Sequence, residues 1–311
     1  MRVTLIHNPG AGKSRPGSSE AELEKLLRRA GHKVRYQSSK EKGWKKALKK
    51  RADLVVVAGG DGTIARVARR MAGRDTPIAL LPAGTANNIA RTLGQIERPY
   101  EELIAGWKTA RQLRLDVGTA MGPWGERHFV EGVGAGVFAD LLAHSEGTKK
   151  KSKAIKKKKN AVELGMQRVR EEVEKCEPMD IVARLDGEDI SGRYLMIEAV
   201  NLRYVGPNLH LAPDSTPGDG QFDVILVTEA ERARLLYYLQ HWQENRERLS
   251  VLPTRRGSRL QIEWTGFPLH VDDRLRPTAD AEPKEMAGLV EARVDGTGVR
   301  FLVPDSRTKD S

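Results

Sequence analysis

The 311-residue sequence predicts an N-terminal α/β domain, with a parallel sheet and helices on both faces, followed by a β-sandwich-like C-terminal domain. Two observations support this fold class. Short apolar runs alternate with segments of helical periodicity in the first part of the chain, which is typical of a parallel sheet covered by helices. After about residue 113, strand-like runs become frequent and are separated by turns, as in a β-sandwich. We therefore predict domains at residues 1–113 and 114–305, and a tail at residues 306–311.

The first domain is predicted from four strands and the helices between them. The strand-like runs are residues 3–6, 33–36, 54–57 and 78–81. Leucines on one face mark the helix after the first strand, Ser19 and Glu22 can form its capping box, and Gly31 can end it. Apolar stripes predict further helices after the third and fourth strands. In such a sheet, nucleotides bind at the carboxyl ends of the strands.

The second domain is predicted from shorter strands with two helices among them. The strand-like runs are residues 115–118, 128–133, 180–185, 194–200, 222–227, 259–264, 289–294 and 299–303. Apolar stripes over residues 162–173 and 235–242 predict the two helices, and we favour core packing over a lipid or partner surface for both. Asp295-Gly296 is a hairpin turn signal between the last two strands, which can pack back near the first domain.

Composition excludes several classes of protein. No apolar run reaches the 18 or more residues that a membrane span needs, and the N-terminus is strand-like rather than signal-like, so we expect a cytoplasmic protein. Cys176 is the single cysteine and cannot form an internal disulfide. No cysteine or histidine spacing typical of zinc sites occurs.

Three glycine-rich loops each follow a predicted strand of the first domain. They are residues 7–13 (HNPGAGK), 59–63 (GGDGT) and 82–91 (PAGTANNIAR). Glycine lets the main chain approach a polyanion, and the first amides of a helix are unpaired donors with partial positive charge, so such turns suit phosphate. Lys13 could reach a terminal phosphate. Each loop alone could be an ordinary tight turn, but three after successive strands together predict phosphate binding.

In their order and positions, these loops resemble the diacylglycerol kinase catalytic-domain family of bacterial lipid kinases, which is related to sphingosine and ceramide kinases. The resemblance continues at residues 213–222 (PDSTPGDGQF) and 269–272 (LHVD), so it covers nearly the whole chain. It implies the same two-domain fold and an ATP- and Mg²⁺-dependent kinase that phosphorylates a lipid hydroxyl, with diacylglycerol as the first expectation.

The resemblance also implies roles for individual residues. Asp272 is the expected general base, and Asp214 and Asp219 are the expected Mg²⁺ ligands. Asp61 could bind magnesium through water or hold its loop in place. The residues expected to bind the nucleotide are Asn8, Gly10, Gly12, Lys13, Gly59, Gly60, Asp61, Gly62, Thr63, Gly84, Thr85 and Asn87.

Two departures from the family pattern keep alternatives open. Asn88 stands where the family usually has aspartate, and Arg274 ends the triplet Asp272-Asp273-Arg274 where the family usually has Asp-Gly-Glu. Either the ion is held differently, or the acceptor differs, or activity is impaired. The alternatives are a kinase for another acceptor, such as a long-chain base, an isoprenoid alcohol or NAD, and a non-catalytic nucleotide- or lipid-binding regulator.

The formal net charge of +11 is concentrated in residues 149–159 (KKKSKAIKKKK), whose eight lysines, once subtracted, leave only +3. Polybasic segments bind anionic leaflets with about 1 kcal/mol per lysine near the surface. We therefore expect peripheral binding to the inner leaflet of the plasma membrane. A solvated insertion with no binding role explains the same charge run equally well. Nucleic acid is not expected as a partner, because no aromatic residues interleave the lysines. Formation of a homodimer through the β-rich domain is a further open alternative. The lysines are Lys149, Lys150, Lys151, Lys153, Lys156, Lys157, Lys158 and Lys159.

Overall fold

The computed structural model describes residues 1–12, 17–148, 161–242, 252–278 and 280–305. Lys13, the lysine tract at residues 149–159 and the predicted tail at residues 306–311 lie outside the described residues. The chain divides into two compact units. One contains Met1–Val117 and the C-terminal strand, and the other contains Gly118–Gly296.

The helices and strands are short and closely spaced. The helices are α1 (Glu20–Arg29), α2 (Trp44–Ala47), α3 (Asp61–Met71), α4 (Asn88–Thr92), α5 (Tyr100–Gly106), α6 (Val137–Thr148), α7 (Ala161–Lys175) and α8 (Arg232–Gln240). The strands are β1 (Arg2–His7), β2 (Lys33–Ser38), β3 (Leu54–Gly59), β4 (Ile78–Pro82), β5 (Arg111–Asp116), β6 (Gly118–Gly122), β7 (Gly125–Phe129), β8 (Gly132–Gly136), β9 (Met179–Ile181), β10 (Ala183–Leu185), β11 (Glu188–Asp189), β12 (Gly192–Tyr194), β13 (Met196–Val200), β14 (Phe222–Val227), β15 (Thr254–Gly257), β16 (Arg259–Trp264), β17 (Leu269–Val271), β18 (Arg274–Arg276), β19 (Gly288–Arg293) and β20 (Gly298–Val303).

The first unit is built on a mainly parallel sheet with the order β2-β1-β3-β4-β20-β5. β1 to β4 run parallel to one another, and every residue of β3 and β4 is buried, as expected for strands covered on both faces. Ser19 and Glu22 form the predicted capping box of α1, and Gly31 follows the helix with a φ of 83°. The α/β prediction is confirmed, and the carboxyl ends of β1, β3 and β4 lie at one edge of the sheet.

The chain divides four residues after the predicted boundary at residue 113, and the predicted final hairpin is wrong. β5 pairs antiparallel with β20 in the first unit, so the division falls between Val117 and Gly118. β19 pairs instead with β16 and β6 of the second unit. The turn at Asp295-Gly296 therefore carries the chain from one sheet to another, and only β20 returns to the first unit, where it lies between β4 and β5.

The second unit contains two antiparallel sheets around a shared apolar core, which confirms the predicted β-sandwich. Their orders are β11-β10-β16-β19-β6-β7 and β15-β14-β13-β8-β17-β18, and β9 and β12 form a separate pair. Phe129, Phe222 and Trp264 are among the fully buried side chains of this core. The predicted strand at residues 128–133 is wrong: β7 ends at Phe129 in one sheet and β8 begins at Gly132 in the other, because the chain changes sheets between them.

Helices α6, α7 and α8 cover the outer face of the β13-containing sheet. Met166, Val169 and Val173 of α7 are buried together with Met196 and Val200 of β13. The α7 stripe is thus core, as the sequence favoured. Within the described residues, no helix has the length and apolar character that crossing a bilayer requires.

Candidate functional site

The first glycine-rich loop is tied to the second by Asn8. Its main-chain N–H donates to the carbonyl of Ala58 at 2.8 Å, and its side-chain Nδ2 donates to Thr63 Oγ1 at 3.1 Å. The remaining amide oxygen, Oδ1, accepts from the N–H of Gly10 at 3.1 Å. The hydrogen bonds of Asn8 therefore hold the first loop against the start of α3.

The second and third loops touch through their main chains at Gly60 and Gly84. A Cβ on Gly60 would lie 2.7 Å from Gly84 Cα, and one on Gly84 would lie 2.5 Å from Gly60 Cα. Gly12, with a φ of 65°, is equally close to the third loop, since its Cβ would lie 2.9 Å from Ala83 Cβ. The three loops therefore form one surface of close-packed backbone, and each of these contacts requires glycine.

Asn87 holds the third loop closed. Its Oδ1 accepts from the N–H of Gly84 at 2.8 Å, while its Nδ2 donates to the carbonyl of Gly84 at 2.9 Å. Its own φ is 55°, a left-handed conformation that asparagine tolerates better than most residues. Thr85, two residues before it, is exposed.

The N-terminus of α3 offers unblocked space beside Gly62. Gly60 is the N-cap and supplies no side-chain hydrogen bond, so the helix start lacks the usual side-chain cap. Gly62 is exposed, and nothing lies within 4 Å of where its Cβ would be. By contrast, a Cβ on Gly59 would lie 2.9 Å from Thr63 Cβ. Gly59 and Gly60 are thus glycines for packing reasons, whereas Gly62 leaves an opening at the positive end of a helix.

Asp61 links α3 to α4. Its Oδ1 accepts from the N–H of Ile89 at 3.0 Å. Burial raises the pKa of Asp61, and hydrogen bonds from the amides of Ile89, Asn88 and Asn87 oppose that rise. Of its two predicted roles, the geometry supplies the loop-holding one, and magnesium binding stays a prediction.

Asp272 lies directly after β17 and is anchored to the segment that enters β8. Its Oδ1 accepts main-chain N–H bonds from Val130 at 3.0 Å, Glu131 at 2.8 Å and Gly132 at 3.3 Å. Its own N–H donates to the carbonyl of Gly132 at 2.8 Å. Three amide donors on one carboxyl group match its ionised, acceptor-only form. The side chain is therefore held in a fixed orientation, on a residue whose φ of 50° is left-handed.

The strand before Asp272 carries a buried pair that sequence reasoning missed. His270 Nε2 lies 2.9 and 3.0 Å from the two carboxylate oxygens of Glu198, and His270 Nδ1 lies 3.0 Å from the carbonyl oxygen of Asp272. Glu198 is 1% exposed and His270 is 8% exposed. A histidine two residues before the predicted base was the available signal, but its partner is 72 residues away in the sequence.

One of the two predicted Mg²⁺ ligands, Asp219, already has a partner. Asp219 pairs with the guanidinium of Arg256, and its Oδ1 also accepts from the N–H of Gln221 at 2.9 Å. Arg256 Nε lies 3.7 Å from Asp223, whose pKa is raised by burial and by the charges of Asp219 and Asp214, against lowering by Ser215 and Arg256. Within the described ranges, no group of three or more histidine, cysteine, aspartate or glutamate side chains is arranged to hold a metal ion. Arg256 thus supplies the positive charge beside Asp219, and Mg²⁺ binding by Asp214 and Asp219 stays a prediction.

The two departures from the family pattern have different surroundings. Asn88 is the buried first residue of α4. Arg274 is largely exposed, and its Nε lies 3.6 Å from Asp273. Reversal of charge at Arg274 therefore changes the surface beside Asp272 rather than the interior of the sandwich.

Comparisons with known proteins cover both units. The family model for the diacylglycerol kinase catalytic domain matches residues 2–120, and that for the YegS C-terminal NAD kinase beta sandwich-like domain matches residues 145–295. The chain is 26% identical over 247 residues to "Diacylglycerol kinase" from Bacillus subtilis (strain 168), covering 76% of each chain. It is 28% identical over 191 residues to "Probable lipid kinase YegS-like" from Stenotrophomonas maltophilia (strain K279a), covering 58% of this chain and 57% of that protein.

A solved structure shares the fold across both units. The crystal structure of a diacylglycerol kinase from Bacillus anthracis str. Sterne matches with a TM-score of 0.66 at 19% identity, covering 97% of this chain and 96% of that one. The two family models match in the order found in the structure, one on each unit, and leave only short segments of the chain unmatched. The chain therefore belongs to the diacylglycerol kinase catalytic-domain family of lipid kinases.

Proposed function

We propose that this protein is an ATP- and Mg²⁺-dependent kinase that transfers the γ-phosphoryl group to a lipid hydroxyl, with diacylglycerol as the acceptor. The observation that carries the proposal is that the three loops containing Gly12, Gly60 and Gly84 pack against one another at the carboxyl edge of the parallel sheet. Family membership supports the kinase activity, and relatives named diacylglycerol kinase support the choice of acceptor.

The glycine-rich surface suits a triphosphate for a simple reason. Main-chain N–H groups are fixed donors, and the N-terminus of α3 adds partial positive charge where Gly62 leaves an opening. Donors that are already in place need no reorganisation when charge develops on the transferred phosphoryl group. In the proposed mechanism, this surface holds and orients the donor phosphates.

Asp272 is the proposed general base. An ionised carboxylate can take the proton of the acceptor hydroxyl as the oxygen attacks phosphorus, and such proton transfer contributes about 10²- to 10⁴-fold to a rate. The amides of Val130, Glu131 and Gly132 hold this carboxyl group in one orientation before substrate arrives.

Magnesium is proposed to enter with the nucleotide, where it would neutralise phosphate charge. Asp214 and Asp219 stay predictions as ligands of a separate ion, because Arg256 already pairs with Asp219. No step of the proposed mechanism passes through that ion.

ATP consumption against a panel of lipids in mixed micelles tests the proposal. We expect lipid-dependent turnover that falls by about 10²-fold or more in Asp272→Asn, with nucleotide binding retained. Asp273→Asn is the matched control, since Asp273 is the exposed neighbour and loses the same charge. Equal activity of Asp272→Asn and wild type would refute the role of Asp272.

The same assay separates the alternatives. Turnover on a long-chain base, an isoprenoid alcohol or NAD, but not on diacylglycerol, would replace the proposed acceptor and support the proposed kinase activity. Nucleotide binding without turnover on any acceptor would favour a regulator, the reading that Asn88 and Arg274 keep open.

The lysine tract is proposed to bring the enzyme to its lipid. Residues 149–159 carry eight lysines and no acid, so they suit an anionic leaflet. We propose peripheral attachment at the inner leaflet on this ground.

A further inference from the structure

Glu198, Gly134 and His270 form one row across three neighbouring strands. Glu198 of β13 is directly opposite Gly134 of β8, which is directly opposite His270 of β17. Side chains alternate along strands, and Val133, Ala135 and the neighbours of His270 face the sandwich core. The row therefore faces the opposite side, toward α6, whose Phe138 ring meets the His270 ring edge-on at 6.5 Å between centroids.

Gly134 makes the contact between the outer two residues possible. A Cβ at this position would lie 2.2 Å from the Glu198 carboxyl carbon and from its Oε2. Any other residue would therefore push the carboxylate away. The row is built so that two side chains meet over an empty central position.

The two ring nitrogens of His270 both face oxygen acceptors. Nε2 faces the Glu198 carboxylate and Nδ1 faces the main-chain carbonyl of Asp272. A neutral imidazole has one N–H and can donate only once, whereas the imidazolium donates twice. The charges of an imidazolium and a carboxylate cancel, which makes the pair tolerable in a buried site.

The Nδ1 bond connects this pair to the proposed base. It ends on the carbonyl of Asp272, the residue whose backbone is left-handed and whose carboxylate rests on the Val130, Glu131 and Gly132 amides. A non-glycine residue in that conformation persists only where its surroundings hold it. The protonated His270 ring holds the carbonyl of Asp272, and the main-chain amides of residues 130–132 hold its carboxyl group.

We propose that Glu198 and His270 form a proton-holding pair that positions Asp272, so that turnover falls when His270 loses its proton. The proposal rests on the catalytic role of Asp272 given above. His270 does not touch substrate in this account; it acts through the conformation of Asp272.

The sign of the pH dependence follows from the surroundings of His270. Burial lowers its pKa, but the Glu198 charge, the hydrogen bond to Glu198, the Asp272 carbonyl and the Asp272 charge outweigh burial and raise it overall. Among the described residues, the charged groups acting on the ring are Glu198 on β13 and Asp272 after β17, and α6 presents uncharged Phe138. The positioning contact is therefore complete below the ordinary histidine pKa of about 6.5 and is lost as pH rises through the raised value.

Histidine ¹⁵N NMR of the wild-type protein measures the protonation state of the His270 ring and does not require turnover. The chain has seven histidines, and His270→Gln assigns the signal. We expect a doubly protonated ring at pH 7 that loses its proton above the ordinary histidine pKa of about 6.5. A singly protonated His270 ring at pH 7 would overturn the proposal, whether or not the protein proves to be a lipid kinase.

The pH profile of kcat then tests the link to Asp272. Wild type should lose kcat on the alkaline side with the pKa that NMR assigns to His270. Glu198→Gln removes the charge that raises this pKa, so its alkaline loss should move to lower pH, while the KM for nucleotide stays within twofold. His270→Gln should be at least tenfold slower and lack that alkaline loss.

A matched substitution separates positioning from general damage. His128→Gln makes the same change at a half-exposed histidine of the sandwich and should keep the wild-type profile. If Glu198→Gln leaves the alkaline limb in place, or shifts nucleotide KM as much as kcat, the pair is a structural element only and the proposal is wrong.

Discussion

Replacement of Gly62 by alanine tests where phosphate approaches the first unit. The methyl group would enter open space, since nothing lies within 4 Å of it. Alanine is favoured over glycine by about 0.5–1 kcal/mol within a helix, so α3 should not be destabilised. The substitution therefore adds an obstacle at the helix N-terminus without harming the fold.

The expected loss of nucleotide binding can be estimated from one hydrogen bond. An N–H bond to a charged oxygen contributes about 1.5–3 kcal/mol, so its loss weakens binding roughly 10- to 150-fold. At a nucleotide concentration 100 times the wild-type Kd, bound nucleotide stabilises the wild-type protein by about 2.7 kcal/mol. The variant should then gain only about 0.3–1.4 kcal/mol under the same conditions.

Urea unfolding with and without nucleotide measures both quantities. Gly60→Ala provides the contrast, because its Cβ would lie 2.7 Å from Gly84 Cα, and overpacking of that kind costs about 1–3 kcal/mol without any ligand. We expect Gly62→Ala to match or exceed wild type without nucleotide and to fall short with it. If nucleotide stabilises Gly62→Ala as much as wild type, phosphate does not bind at this helix end.

The remaining predictions concern the sandwich core, the metal and the membrane. Phe129→Ala should lower the free energy of unfolding by about 3–5 kcal/mol in urea titrations, because its ring is fully buried between the sheets; Leu289→Ala, at a largely exposed site, should change it by less than about 0.5 kcal/mol. Arg256→Gln frees Asp219 from its guanidinium partner, so Mg²⁺ should raise the thermal stability of this variant more than that of wild type. Equal Mg²⁺ effects would remove Asp214 and Asp219 from consideration as ligands. Glutamine at all eight lysines of residues 149–159 should abolish salt-sensitive binding to phosphatidylglycerol vesicles, and undiminished binding would refute the role of that tract.

Local patterns were enough to predict the architecture of the first unit. Buried parallel strands read as continuous apolar runs, and Ser19, Glu22 and Gly31 mark the ends of α1 through short-range hydrogen bonding. The glycine-rich loops were placed correctly at the carboxyl edge, since each follows directly from a strand. These features depend on residues that are close together in the sequence, so they can be predicted from it.

Pairings between distant strands could not be predicted in the same way. The strand-like run at residues 128–133 (HFVEGV) was predicted as one strand, yet it spans a change of sheets that only the completed sandwich reveals. Likewise, Asp219 is a predicted metal ligand, and only the register of β14 and β15 reveals that Arg256 lies beside it.

Short contiguous segments were enough to predict the fold class, the glycine-rich loops and the resemblance to lipid kinases, because each of these features depends on neighbouring residues. The folded chain was needed to show that Gly60 must be glycine to meet Gly84, and that His270 meets Glu198 over Gly134. Contacts of this kind depend on strand register and on the space that a missing side chain leaves, and both exist only once separate segments have packed together.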